Sequence, residues 1–107
     1  MEMRIKATKV ELSEDLKSYA EKKMSMLNKY LGDTEIINLD LELEHVLSKR
    51  NSGDNYRAEV NLFLPGETLR VDKTEKTFNK AIDKVKDHLV LMIKKYKEKK
   101  MGKERGR

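Results

Sequence analysis

The side chains of this sequence that are able to do chemistry are dominated by amines: Lys and Arg number 24 against 19 Asp and Glu, and cysteine is absent. Without cysteine there is no thiolate nucleophile, no disulfide framework and no thiolate metal site. The two histidines, His45 and His88, have no third ligand at a metal-binding spacing, so no metal is expected. Asp40, Glu42 and Glu44 alternate along one segment and fall on a single strand face with no cleft implied, which suits a solubilising surface better than a general acid and base. The five glycines are scattered through turns and tail, so no phosphate-cradling loop exists. Catalysis, a cofactor and a small-molecule substrate are therefore not expected. The remaining chemistry is non-covalent, the binding of a polyanion by lysines.

Those lysines sit on two amphipathic segments. Ser13 is a candidate N-cap, followed by Glu14 and Asp15 in the first turn, where acids suit the helix dipole. Leu16, Ala20, Met24, Leu27 and Leu31 then form one helical stripe with Tyr19 and Tyr30 on its flank, and Gly32 stops it. A helical wheel puts Lys22 and Lys29 on the exposed side and Lys23 nearer the sheet. Thr74 is a candidate cap for the last element, whose stripe is Phe78, Ile82, Val85, Leu89, Ile93 and Tyr96, ending near Lys100. There Lys76, Lys80, Lys84, Lys94 and Lys95 point outward, and Lys86, Lys97 and Lys100 lie closer to the apolar border. Spacing alone leaves two readings open, a solvated helix face and a polyanion-binding surface. The charge distribution tips the balance: residues 74–107 hold twelve Lys and Arg against five acids, a net of +7, and the remainder of the chain is −2.

Four further segments position these helices. Met3, Ile5 and Ala7 mark one face of a first strand. Ile37, Leu39, Leu41 and Leu43 alternate with Asn38, Asp40, Glu42 and Glu44, and Tyr56, Ala58, Val60, Leu62 and Leu64 alternate again. Pro65-Gly66 turns the chain into a returning strand through Leu69 and Val71, and residues 48–55 form a polar loop. The order is β-α-β-β-β-α: an α+β domain whose four-stranded, mostly antiparallel sheet carries both helices on one face. One domain is expected over 1–100, with a flexible basic tail at 101–107. The opposite sheet face is expected to be acidic. No apolar run reaches the ~20 residues of a membrane span and no signal peptide is evident, so a cytoplasmic protein with no membrane partner is expected.

Several strings then resemble one family, the ribosome hibernation-promoting and ribosome-associated inhibitor proteins, also called sigma-54 modulation proteins. VELSEDLKSYAEKK and LNKYL resemble its first helix, AEVNLFLPGETLRV its central hairpin, and AIDKVKDHL with IKKYKEKK its second helix. The likeness covers residues 3 to 100. It implies a fold related to double-stranded RNA-binding domains and a site on the small ribosomal subunit, between head and body, that tRNA and mRNA would otherwise use. By position it implies RNA contacts from Lys22, Lys23, Lys29, Lys84, Lys94, Lys95 and Lys97, and the outward Lys80 joins them. Silencing would come from occupancy.

Two positions depart from the family pattern. Met26 stands where a basic residue is common, and His88-Leu89-Val90-Leu91-Met92 replaces a polar, basic run. Met26, Val90 and Leu91 are accordingly expected to interrupt the basic surface or to form a patch for weak self-association. Two other functional classes stay open: a general structured-RNA binder, and a protein-interaction module with an acidic partner.

Overall fold

A computed structural model describes residues 2–46 and 55–105. The elements are β1 (Met3–Thr8), α1 (Glu14–Ser25), α2 (Asn28–Leu31), β2 (Asn38–His45), β3 (Tyr56–Leu64), β4 (Glu67–Glu75) and α3 (Phe78–Arg105). The four strands form one sheet in the order β1-β2-β3-β4. β1 runs parallel to β2, which a crossover through α1 permits, and the other pairs are antiparallel. Period-two patterning sets the register: Met3 lies opposite Leu39, Leu39 opposite Leu62, and Leu62 opposite Leu69. The apolar side chains of all four strands therefore point to one side. There they meet Ala20, Met24, Leu27 and Leu31 from the first helical segments and Ile82, Val85, Leu89 and Ile93 from α3, all buried.

Local signals explain most boundaries. The Ser13 side chain accepts a hydrogen bond from the Leu16 N–H at 3.1 Å, as an N-cap should. The helix expected to run unbroken to Leu31 is instead two pieces. The Met26 and Leu27 N–H groups bond to the carbonyls of Lys23 and Met24, three residues back, tightening the turn before α2 begins. Met24 and Leu27 are three apart, so the tighter turn keeps both in the core. At the hairpin, Pro65 and Gly66 fill the two central positions, with Gly66 at φ 81°.

Four further expectations need correction. Thr74 belongs to β4, and the cap of α3 is Thr77, whose hydroxyl accepts from the Lys80 N–H at 3.1 Å. β2 begins at Asn38. Ile37 is 59% exposed, because it precedes the strand and lines an open hollow with Phe63 and Thr68 on the outer side of the sheet. α3 continues beyond Lys100 to Arg105. At 28 residues it rises about 42 Å, against about 30 Å for the nine-residue β4, so its last turns outrun the sheet and no apolar stripe marks them. The polar loop expected at 48–55 lies outside the described residues, Asn55 excepted.

The fourth correction concerns the sheet's outer face, which is not an acidic surface. Alternation places Arg4, Lys6, Arg57 and Arg70 there among Asp40, Glu42, Glu44, Glu59 and Asp72. Arg57 reaches Glu44 at 3.2 Å, Glu59 at 2.9 Å and Asp72 at 3.3 Å, and Arg70 reaches Glu59 at 2.5 Å. Burial opposes the Arg57 charge, yet the hydrogen bonds to Glu59 and Asp72 outweigh it and raise its pKa further. This face is nearly neutral. The two-sidedness of the molecule comes from its lysines.

Candidate nucleic-acid interface

One stripe of α3 faces α1 and α2, and the two helical layers meet along a polar seam. At its first station the Tyr19 hydroxyl donates to Asp83 at 2.6 Å, and the Lys23 amine lies 3.3 Å from the same carboxylate oxygen and 5.6 Å from the Tyr19 ring centre. The hydrogen bond to Asp83, helped by desolvation and by the Asp83 charge, pushes the Tyr19 phenol up to about 12.

The second station is built on Tyr30. Its backbone carbonyl, near the end of α2, accepts from the Lys97 amine at 3.1 Å, a cation placed where a helix leaves carbonyls unpaired. Its ring has the Lys29 amine 5.1 Å from the centroid and the Lys94 amine 5.6 Å from it. Cations of α2 and α3 thus converge on one aromatic ring. Gly32 makes room for this: it has φ 57°, and a Cβ there would stand 3.4 Å from the Lys97 amine. Nearby, Lys86 pairs with Asp87 at 2.6 Å. That hydrogen bond raises the Lys86 pKa against the cost of burial, with smaller contributions from Tyr30 and Asp83.

The eight expected lysines accordingly divide. Lys22, Lys29, Lys80, Lys94 and Lys95 are exposed, and among the described residues no carboxylate lies within ion-pair distance of them. Lys23 and Lys97 are half-buried in the seam, and Lys84 pairs with Glu75 at 3.0 Å. Lys29, Lys94 and Lys97 come together around Tyr30. Lys80 lies fourteen residues before Lys94, about 21 Å along the helix. Val90 is not part of an exposed patch. It lies on the stripe of Asp83, Lys86, Lys94 and Lys97 and packs partly buried against the core. Met26 is 38% exposed and Leu91 62%.

Sequence reasoning did not single out Tyr30, Tyr19, Asp83 or Lys86 as parts of the site. The three-and-four spacing of Asp83, Lys86, Val90, Lys94 and Lys97 was the one signal for them, a polar border to the apolar stripe. His45 stacks on Tyr56 at 4.9 Å and Tyr56 meets Phe78 edge-on at 4.9 Å, closing the end of the core. Among the described residues no group of three His, Asp or Glu side chains is arranged to hold a metal ion, and no helix is long and apolar enough to cross a membrane.

The family model described as sigma 54 modulation protein / S30EA ribosomal protein matches residues 3–101. The chain belongs to that family. Similar proteins include the ribosome hibernation promotion factor of Picosynechococcus sp. (strain ATCC 27264 / PCC 7002 / PR-6), 27% identical over 104 residues, which are 97% of this chain and 53% of that protein. The ribosome hibernation promotion factor of Deinococcus radiodurans is 32% identical over 88 residues, 82% of this chain and 44% of its own length. That of Lactococcus lactis subsp. cremoris is 30% identical over 95 residues, 87% and 48% respectively. This family member therefore spans about half the length of the curated relatives it matches. Among solved structures, the Thermus thermophilus Protein Y N-terminal domain superposes with a TM-score of 0.74 at 27% identity, covering 90% of this chain and 99% of that one. A ribosomal subunit interface protein from Coxiella burnetii gives a TM-score of 0.74 at 22% identity, covering 92% and 99%, and at that identity speaks for the fold alone.

Proposed function

We propose that this family member is a ribosome-associated translation inhibitor of the cytoplasm, which binds ribosomal RNA of the small subunit through its helix face. The observation that carries the reading is the convergence of Lys29 and Lys94 on the Tyr30 ring, with exposed Lys95 following Lys94 and, among the described residues, no carboxylate paired with any of the three. Amines so placed are free to replace the counterions of a phosphate backbone, which favours shape and charge over base sequence. The names of its relatives, ribosome hibernation promotion factors, point to the ribosome as that polyanion. Inhibition is by occupancy, a folded cationic body excluding tRNA and mRNA, with no bond made or broken. Residues 1–100 are the binding unit, and 101–107 add basic charge. Lys22 and Lys80 extend the grip, while Lys23 and Lys97 hold the helices that present it.

Co-sedimentation with isolated small subunits at rising salt tests this. The log of the association constant should fall against log[salt] by roughly 0.7–0.9 for each phosphate contact. Changing Lys29, Lys94 and Lys95 together to Glu should lower affinity at least about a hundredfold, with the thermal midpoint nearly unchanged because exposed charges contribute little to folding. Undiminished binding by that variant would sink the assignment. A competing naked RNA duplex that displaced the chain as well as subunits do would make it a general structured-RNA binder.

A further inference from the structure

Phosphate binding leaves one feature of the helix face unused. Leu91 stands 62% exposed on α3. With Met92 it forms the floor of an open hollow of about 440 Å³, whose other lining residues are His88, Lys94, Lys95 and Glu98. Lys94 and Lys95 follow Leu91 at i+3 and i+4, so apolar floor and cationic rim share one helical face. Met92 is partly buried against the core and gives that floor a fixed base.

A phosphate gains nothing from a leucine, and a perfectly paired duplex keeps its base faces stacked away from one. A nucleotide with an unpaired base offers both groups at once, an anion for the lysines and an apolar ring face for Leu91 and Met92. Glu98, on the rim, supplies an acceptor suited to the exocyclic amine of a base. We propose that this hollow seats one unpaired nucleobase of an RNA whose phosphates lie along Lys94 and Lys95. The inference rests on the RNA-binding reading of the helix face and narrows it, from RNA phosphates in general to RNA with unstacked nucleotides. A second copy of the chain is the other occupant an exposed leucine admits. The rim argues against it, because Lys94 and Lys95 outnumber Glu98 there, so two copies of this face would meet with the same net positive charge.

Fluorescence anisotropy with two labelled RNA hairpins of equal length, one fully paired and one carrying a single bulged adenosine, tests the proposal. The chain should bind the bulged hairpin about tenfold more tightly. Leu91→Asn should abolish that preference and leave affinity for the paired hairpin unchanged. Equal affinity of the unaltered chain for both hairpins, or an equal loss for both in Leu91→Asn, would overturn the inference while leaving the lysine grip in place. Binding to neither hairpin at low salt would overturn the lysine reading and this inference with it. A dimer in sedimentation equilibrium that Leu91→Asn dissolves would assign the hollow to a second copy instead.

Discussion

On the outer face of the sheet, Arg57 touches Glu44, Glu59 and Asp72, and Arg70 touches Glu59. On the helix face, Lys29 and Lys94 flank the Tyr30 ring and Lys95 projects beside them, with no carboxylate in ion-pair range among the described residues. Both faces are rich in cations, but their cations do different work. On the sheet, the cross-strand register sets arginines among acids, so the charges satisfy one another and little field escapes. On the helices, three acids that could neutralise these lysines are engaged elsewhere, Asp83 with Tyr19 and Lys23 in the seam, Asp87 with Lys86 and Glu75 with Lys84, and Glu98 is the one acid lining the hollow beside Lys94 and Lys95. A count of basic residues does not locate a polyanion site. The cations left without a partner among the described residues are the better candidates for one.

The sharpest way to break this contrast is to remove Arg57. Glu59 is only 7% exposed, and without Arg57 it would retain Arg70 alone while Glu44 and Asp72 lost their shared partner. Arg57→Ala should cost about 2–3 kcal/mol, less than a fully buried pair because 22% of the Arg57 side chain stays exposed. Urea unfolding measures this, and RNA affinity per folded molecule should not change. A stable Arg57→Ala protein with weakened RNA binding would reverse the roles assigned to the two faces.

Much of this contrast was legible in the sequence, and its gaps have a common cause. Period-two alternation placed Leu39, Leu41, Leu43, Val60 and Leu62 on one side, because a strand's geometry admits only two faces. The helical wheel exposed Lys22, Lys29, Lys80, Lys94 and Lys95 for the same kind of reason. What escaped were facts set by a neighbouring element. Lys97 bonds to a carbonyl 67 residues away, Tyr19 to a carboxylate 64 away, and Val90 is covered because α1 and α2 lie on that side of α3. The acidic reading of Asp40, Glu42 and Glu44 failed likewise: their own strand shows three acids, and the adjoining β1 and β3 bring the cations. The break at Met26 and Leu27 carries no Gly or Pro to announce it.

Gly32 and Gly66 offer a matched pair of smaller effects. Both have positive φ, so alanine at either should cost about 1–2 kcal/mol in denaturant unfolding. A methyl group added at Gly66 would meet open space, whereas at Gly32 it would stand 3.4 Å from the Lys97 amine. Gly32→Ala should therefore also weaken RNA binding by disturbing the Tyr30 cluster, and Gly66→Ala should not. Equal effects on binding would separate Gly32 from the site.

The seam predicts a pH dependence with a definite sign. A phenol raised from 10 to about 12 in the folded chain keeps its proton more tightly than in the unfolded one. Its contribution is therefore complete below pH 10 and is lost as pH rises from 10 through 12. It should amount to about 1 kcal/mol after allowance for solvent screening. The difference in urea midpoint between the unaltered chain and Tyr19→Phe should shrink over that interval, which cancels the titration of the lysines common to both. A difference constant with pH would mean that Tyr19 holds Asp83 by packing alone.

The smallest effect bears most directly on paired and unpaired cations, because it compares two lysines of one helix. Lys84 and Lys95 have the same chemistry and are both exposed on α3, but Lys84 sits 3.0 Å from Glu75 and Lys95 has no acid in range among the described residues. To grip a phosphate Lys84 must first leave its carboxylate, so part of what it gains there replaces what it loses. Lys95 exchanges only counterions. Lys95→Gln should reduce the salt slope by roughly 0.7–0.9 and weaken binding about three- to tenfold. Lys84→Gln should change the slope by less than half as much, and neither should move the thermal midpoint appreciably. Equal slopes would show that an exposed ion pair opens at negligible cost when RNA arrives, and the neutrality of the sheet face would then rest on the burial of Glu59 rather than on pairing as such.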